Sequence, residues 1–403
     1  MKYPSFTQEN PPLALYALLA TASSGFGQTF FVSVFGASLR HEFTLSNSAY
    51  GLIYGIATLC SAALLIRAGA LADRWELAHV TTLALVLLAG GCVMLGLATH
   101  WLVLIPGFLL IRLGGQAMLT HLGMTAAGRY FSLGRGRIMA LTAAGFPLAE
   151  AILPASAGFV LAQNWWGGWR LPWFGAAGFL ILVVLPILFW LARGAQHPAK
   201  MSSGGYSTET DSLSRAQVLR DPGFYLVLPA TLAAPFSVTA IMFHQSSIGE
   251  LRGWSLEVIA TSLSCFALGH FVSLFVAGPL IDRLGAQRSL PLVLVPMWCG
   301  LLVLVFSASH WTPYLYLALV GTTLGGSGAA SGALWPERYG TCHIGAIRSV
   351  AQAALVFSTA LAPFLAGYIL DATLSAEILA IFLATTIIVV GVLVHFAPPV
   401  SNK

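Results

Sequence analysis

The chain predicts an all-α polytopic membrane protein, with twelve transmembrane helices in two pseudo-symmetric six-helix bundles. Three observations carry that prediction. Hydrophobic residues make up 57% of the 403 and charged residues only 8%, against about 25% charged in an ordinary soluble domain. Mean hydropathy is +0.83, so lipid must be the solvent for most side chains. Apolar stretches recur along the chain, each reaching the ~20 residues that a helix needs to cross a ~30 Å hydrocarbon core. The chain also repeats itself at a shift of 209 positions: Gly69 and Asp73-Arg74 recur as Gly278 and Asp282-Arg283, Arg129-Tyr130 as Arg338-Tyr339, and Pro154 as Pro363. Two membrane-embedded halves arranged in parallel point to a solute carrier that rocks about a central cavity.

The stretches of the first half lie near 13–38, 47–71, 78–98, 101–127, 138–161 and 170–193. Those of the second lie near 223–247, 256–280, 288–308, 313–335, 347–370 and 375–397. No strand-like alternation appears, which argues against a β-barrel. Proline and glycine inside the stretches are expected, because neighbouring helices can satisfy the backbone groups they free. The first stretch has no small-residue cleavage site and reads as a retained helix. One long polar interval, 194–221, has the composition of a flexible linker. It separates an N-terminal bundle (1–193) from a C-terminal bundle (222–403).

The sequence pI near 9.0 invites a nucleic-acid reading, but topology explains the basic excess better. With the N-terminus in the cytoplasm, only Arg40, Arg170 and Arg252 fall outside, and Arg67 and Arg112 fall within the membrane. Every other Lys and Arg is then cytoplasmic, which fixes both termini inside. The five cysteines are scattered, with neither metal-ligand spacing nor a disulfide framework. No cofactor and no metal is expected.

Gly69-Ala-Leu-Ala-Asp73-Arg74 and Gly278-Pro-Leu-Ile-Asp282-Arg283-Leu-Gly285 resemble the loop signature of the major facilitator superfamily, between helices 2 and 3 and between helices 8 and 9. The second copy matches better, since the first has Glu76 where the family prefers glycine. Arg112-Leu-Gly-Gly115-Gln116 resembles that family's helix 4 motif. Gly25-Phe-Gly-Gln28, Phe243-His244-Gln245, Leu334-Trp-Pro-Glu337-Arg-Tyr-Gly340 and Gly345-Ala-Ile-Arg348-Ser349 are similar to a largely uncharacterised bacterial branch. The resemblance implies the major facilitator fold in a bacterial inner membrane, with helices 1, 4, 7 and 10 lining the cavity. It also implies that Gly69, Asp73, Arg74, Gly278, Asp282 and Arg283 form a conformational latch. There a carboxylate near a helix end accepts backbone N–H groups of a neighbour, and the glycine allows close helix approach.

Ionisable groups within the membrane cost about 2.5–3.5 kcal/mol or more and mark function by default. Arg112 lies some 17 residues before Arg129, roughly 25 Å at helical rise. Glu150 lies roughly 20 Å from Arg137, at nearly the same depth. The two sit on consecutive helices and are expected to neutralise each other, Glu150 taking a proton while Arg112 is released to hold a substrate anion. A permanent structural tie is the alternative. Gln116 is one turn beyond Arg112 on the same face, and Gln28 on helix 1 is a candidate hydrogen-bonding partner for solute. His244 and Gln245 at the external end of helix 7 are candidates for an outer gate or binding wall. His270, near mid-depth in helix 8, is a candidate proton carrier.

No Ser/His/Asp or His/Cys arrangement suggests an enzyme, and no Walker motif is present. The expected activity is secondary active transport of a small organic solute, anionic or zwitterionic because of Arg112, coupled to protons, by a chain that works as a monomer. A multidrug/proton antiporter is the runner-up, although Gly145-Phe-Pro147-Leu-Ala-Glu150 replaces the denser Gly-Pro-Gly-Gly pattern of antiporters. A non-transporting receptor on the same fold would need a signalling domain, for which linker and tails are too short.

Overall fold

The computed structural model describes residues 10–69, 75–131, 135–163, 167–193, 215–340 and 343–398. Asp73 and Arg74 of the expected latch, and most of the expected linker, lie outside them. Eleven helices among the described residues are long and apolar enough to cross a membrane, and a bent pair makes a twelfth. We label them α1 (Pro11–Ser33 with Gly36–Glu42, bent by 62°), α2 (Asn47–Ile66), α3 (Leu77–Gly96), α4 (Trp101–Arg129), α5 (Arg137–Ala162) and α6 (Gly168–Ala192). The second set is α7 (Pro222–Phe243), α8 (Leu256–Leu284), α9 (Ala286–Phe306), α10 (Thr312–Tyr339), α11 (Ile347–Thr373) and α12 (Ala376–His395). The chain divides into two compact units, Met1–Met201 and Ser202–Lys403.

Helix starts are written in the sequence as caps. The Asn10 side chain accepts from the Leu13 N–H ahead of Pro11-Pro12, and Asp221 accepts from Gly223 N–H beside Pro222. Ser255 and Ser375 cap α8 and α12 in the same way, through Val258 and Ile378. Each side chain satisfies one of the four N–H groups that a helix start leaves without a partner.

In the first unit the expected single helix over 13–38 is broken. An α-helix ends at Ser23, a 3₁₀ turn covers Ser24–Gly27, Gln28 is extended (φ −89°, ψ 158°), and helix resumes over Thr29–Ser33. α4 carries a π-helical segment, Arg112–Leu119. The two irregular stretches cross at glycine: a Cβ on Gly115 would sit 2.8 Å from Gly27 Cα, and one on Gly27 would sit 2.9 Å from Gly115 Cα. Small residues let helix backbones approach this closely in lipid. Nearby, Phe31 meets Phe35 and Trp173 edge-to-face, and the Phe35 and Trp173 rings lie tilted with centroids 4.3 Å apart.

In the second unit, α8 and α10 pack along glycines. A Cβ on Gly321 or Gly269 would run into the backbone carbonyl of Phe266 or Ala318 across the interface. Each unit carries a matching tie beyond the C-terminal end of its first spanning helix. In the first unit Arg170 pairs with Glu42 at 2.7 Å and donates to the Ala98 carbonyl just past α3. In the second, Arg252 pairs with Glu377 at 3.1 Å and donates to the Leu304 carbonyl in the last turn of α9. These positions agree with the 209-residue shift to within two residues for the charged pairs, but with the charges exchanged.

Candidate functional site

Arg112 is 1% exposed, inside the span of α4. Its Nη1 donates to the Gly27 carbonyl at 3.2 Å, and its guanidinium lies over the Tyr54 ring, 5.0 Å from the centroid. The Tyr54 hydroxyl bonds the Thr29 hydroxyl at 2.9 Å. The charge neutralisation expected from Glu150 is not made: no ion pair joins the two residues, and the Arg112 Nε has no hydrogen-bond partner. Depth along the axis brought them level, but Arg112 points toward α1 and α2. Glu150 itself is 4% exposed on α5.

Gln28 and Gln116 are half-buried near this crossing. Gln28 is the extended residue of broken α1, and the Gln116 backbone nitrogen packs 3.0 Å from where a Gly27 Cβ would be. Sequence reasoning passed over Tyr54 and Thr29, because neutral hydroxyl residues are unremarkable in a membrane. The available signal was periodicity: Tyr54, Thr58 and Ser61 recur along one side of α2, and all are buried. The hydroxyls of Thr58 and Thr120 are buried without a hydrogen-bond partner, which extends the polar lining along the two helices.

In the second unit, α7 ends at Phe243 and a short helix resumes at Gln245. His244 is 1% exposed and bonds the Pro363 carbonyl at 2.7 Å through Nε2, which must therefore carry the proton. This is a tie from α7 to α11. Gln245 is fully buried; its amide oxygen accepts from Tyr316, and its Nε2 has no partner. His270 is 7% exposed, its ring wedged against the glycine face of α10, 3.1 Å from where a Gly325 Cβ would stand.

The second copy of the latch departs from expectation. A Cβ on Gly278 would meet nothing within 4 Å, so no close helix approach occurs there. Asp282 and Arg283 are exposed, and their side chains form no hydrogen bond or ion pair with the described residues. The anion at a helix start is instead Glu337, whose carboxylate accepts from the Ala286 N–H at 2.8 Å, across the turn that Gly285 makes at φ +80°. Next to it Asp221 accepts from Tyr339 at 2.7 Å and from Arg338 at 3.3 Å, and Arg338 also donates to Gln287 at 2.8 Å. A separate cavity of ≈ 230 Å³ opens between α1, α5 and α6. Its walls, including Phe26, Leu148, Ile152 and Phe179, are apolar apart from Ser23, and no candidate site residue lines it.

Two helical units of membrane-spanning segments, with a buried guanidinium set among interrupted helices, define a multi-pass membrane transporter. The chain belongs to the Major Facilitator Superfamily, whose family model matches residues 17–262 and 227–403. Among solved structures, the nucleoside transporter NupG aligns at TM-score 0.73 and 12% identity, over 98% of this chain and 99% of that one. A bacterial homologue of the human lysosomal transporter Spinster, inward-facing and unoccupied, aligns at TM-score 0.63 and 16% identity, covering 96% and 95%. At these identities the likeness is one of fold. No curated protein matches the chain.

Proposed function

We propose that the protein is a secondary active transporter of a small organic anion or zwitterion, coupled to protons, working by alternating access. The observation that carries this reading is Arg112: a fully buried guanidinium with no carboxylate against it and an unpartnered Nε. Such a charge is costly in the membrane and is kept where an anion visits it. With Nη1 held by Gly27, the Nε side of the planar fork is left to receive a carboxylate or phosphate oxygen. Gln28 and Gln116 flank this anion seat. The second unit carries its own candidate solute donor, Gln245, whose amide orientation is set by Tyr316.

Proton coupling is assigned to Glu150 and His270, titratable groups buried at membrane depth. A buried carboxyl and a buried imidazole within membrane spans are functional candidates by default, and gradient-driven exchange needs groups that can take up and release a proton. Both termini are assigned to the cytoplasm of a bacterial inner membrane by the distribution of basic residues, and the functional unit is proposed to be a monomer. A multidrug/proton antiporter fits less well, because a lipophilic cation is repelled by Arg112.

The test is uptake into proteoliposomes under imposed pH gradients, using a library of organic anions, zwitterions and cations. Arg112→Ala is expected to abolish uptake of the anionic solute while leaving folded yield intact, and Glu150→Gln to remove its dependence on the gradient. Undiminished uptake by Arg112→Ala refutes the assignment.

A further inference from the structure

The break in α1 is bonded on both sides, and the bonds meet at Arg112. In a continuous helix the Gly27 carbonyl would accept from the Phe31 N–H four residues on. Here Phe31 N–H and Val32 N–H both turn to the Gln28 carbonyl, and Arg112 Nη1 replaces the lost donor at Gly27. On the far side of the break, Thr29 is fastened to α2 through the Tyr54 hydroxyl. The Tyr54 ring supports the guanidinium face. Helices α1, α2 and α4 are thus closed into one circuit: Gly27, Arg112, Tyr54, Thr29.

We propose that Tyr54 is a positioning residue, which together with Thr29 holds the Arg112 guanidinium on the Gly27 carbonyl and so locks the α1 break. The outer segment Thr29–Glu42 is then a gate whose release is linked to occupancy of Arg112. This linkage rests on the reading of Arg112 as the anion seat. An anion arriving at the Nε side draws the guanidinium toward itself, and the Gly27 carbonyl and the anion compete for the same cation. As Nη1 leaves Gly27, the inner side of the break loses its donor, and the Thr29–Tyr54 bond is the polar tie that remains beside it. The segment has the parts of a hinged element: an extended residue at one end and a second bend before Gly36. Its far end is tied to α6 by Glu42 and Arg170. A hinge of a few residues that absorbs a backbone change is a recurring device of switching proteins, and Gly27 against Gly115 leaves it no side chain to drag.

The experiment is amide hydrogen exchange on the full-length protein in nanodiscs, comparing peptides from 29–42 with peptides from α3. It requires no transported solute. Tyr54→Leu and Arg112→Ala are each expected to speed exchange in 29–42 by about tenfold while leaving α3 unchanged. Tyr54→Phe keeps the ring and loses the hydroxyl, and Thr29→Val loses the partner hydroxyl; both are expected to give a smaller and equal increase. A purely structural role for Tyr54 predicts faster exchange in α3 as well, or no rescue by phenylalanine, and either result overturns the proposal. Unchanged exchange in 29–42 for both Tyr54→Leu and Arg112→Ala also overturns it, whatever uptake shows. If Arg112→Ala transports normally while 29–42 exchanges faster, the anion seat falls and the lock stands.

Discussion

Removal of the Asp221 carboxylate is expected to unsettle the junction of α7 and α10 out of proportion to its half-buried position. Asp221 caps α7 through Gly223 N–H and accepts from both Tyr339 and Arg338 at the end of α10. Arg338 is 6% exposed and keeps only Gln287 and the Tyr339 hydroxyl if Asp221 is lost. A lost cap costs about 1 kcal/mol, and breaking a buried pair so that one charge stays uncompensated costs about 3–5 kcal/mol. Because the two losses overlap, Asp221→Ala is expected to destabilise by about 3–5 kcal/mol in all. Asp221→Asn keeps the cap and an acceptor for Tyr339, and should cost about 1–2 kcal/mol. Pairing Asp221→Ala with Arg338→Met removes the stranded charge and should recover at least about 1 kcal/mol. The assay is equilibrium unfolding of the purified protein in mixed micelles, run as a double-mutant cycle. Additive losses, or an Asp221→Ala protein within about 0.5 kcal/mol of wild type, would refute the network. Its pH dependence follows from sign. Burial raises the Asp221 carboxyl, but hydrogen bonds from Tyr339, Gly223 N–H and Arg338 outweigh that and hold it below the usual range. A depressed value means that the contribution is complete above the ordinary aspartate pKa of about 3.9 and fades only on acidification below it. Stability from this network should therefore be flat between about pH 5 and 8.

Two further outcomes are open to the same measurements. Leu374 ends α11 at φ +50°, a left-handed conformation costing a residue with a Cβ about 1–2 kcal/mol; Leu374→Gly should raise the thermal midpoint, and a lowered one would mean that its side chain contributes more by contact than its backbone loses. At the start of α12, Glu377→Arg alone should destabilise by placing two cations together at Arg252, and adding Arg252→Glu should restore the midpoint of unfolding; failure of the double variant to recover would show that the Arg252 contact with the Leu304 carbonyl matters more than the charge pair.

The helices were legible because the requirement is crude: some twenty apolar residues. Their caps, Asn10, Asp221, Ser255 and Ser375, came with the structure. The break in α1 was not legible. Gly25-Phe-Gly-Gln28 drew attention as a motif, but every residue around it is compatible with lipid, so hydropathy shows no dip where the backbone turns. Arg112 was found because a charge in a membrane is rare. Its partners were misassigned because depth along an axis says nothing about rotation around it, and the real contacts are a backbone carbonyl and a neutral ring, neither of which carries a charge signal. The same reason explains the latch: Asp282 stands in the familiar motif, yet the α9 start is held by Glu337, fifty-one residues away in sequence.

These arginine ties show what an internal duplication retains. Both units fasten the C-terminal end of their first helix to the start of their sixth by an Arg–carboxylate pair, and the same arginine also grips a carbonyl at the end of the third helix. In one unit the arginine belongs to the sixth helix, as Arg170; in the other it is Arg252, following the first. An isolated pair of this kind at the surface contributes little, and the carbonyl contact is what makes the arrangement three-sided. Selection on the geometry leaves either placement of the charges acceptable, provided that both residues change together. Matching residue with residue therefore detects the duplication at the loops after the second helix of each unit, where Gly, Asp and Arg recur unchanged, and misses it at these ties, where the bond is retained and its donor has moved to the other partner. Each unit thereby holds three helix ends in fixed relation, which is the internal stiffness that a rocking mechanism requires of the body that rocks.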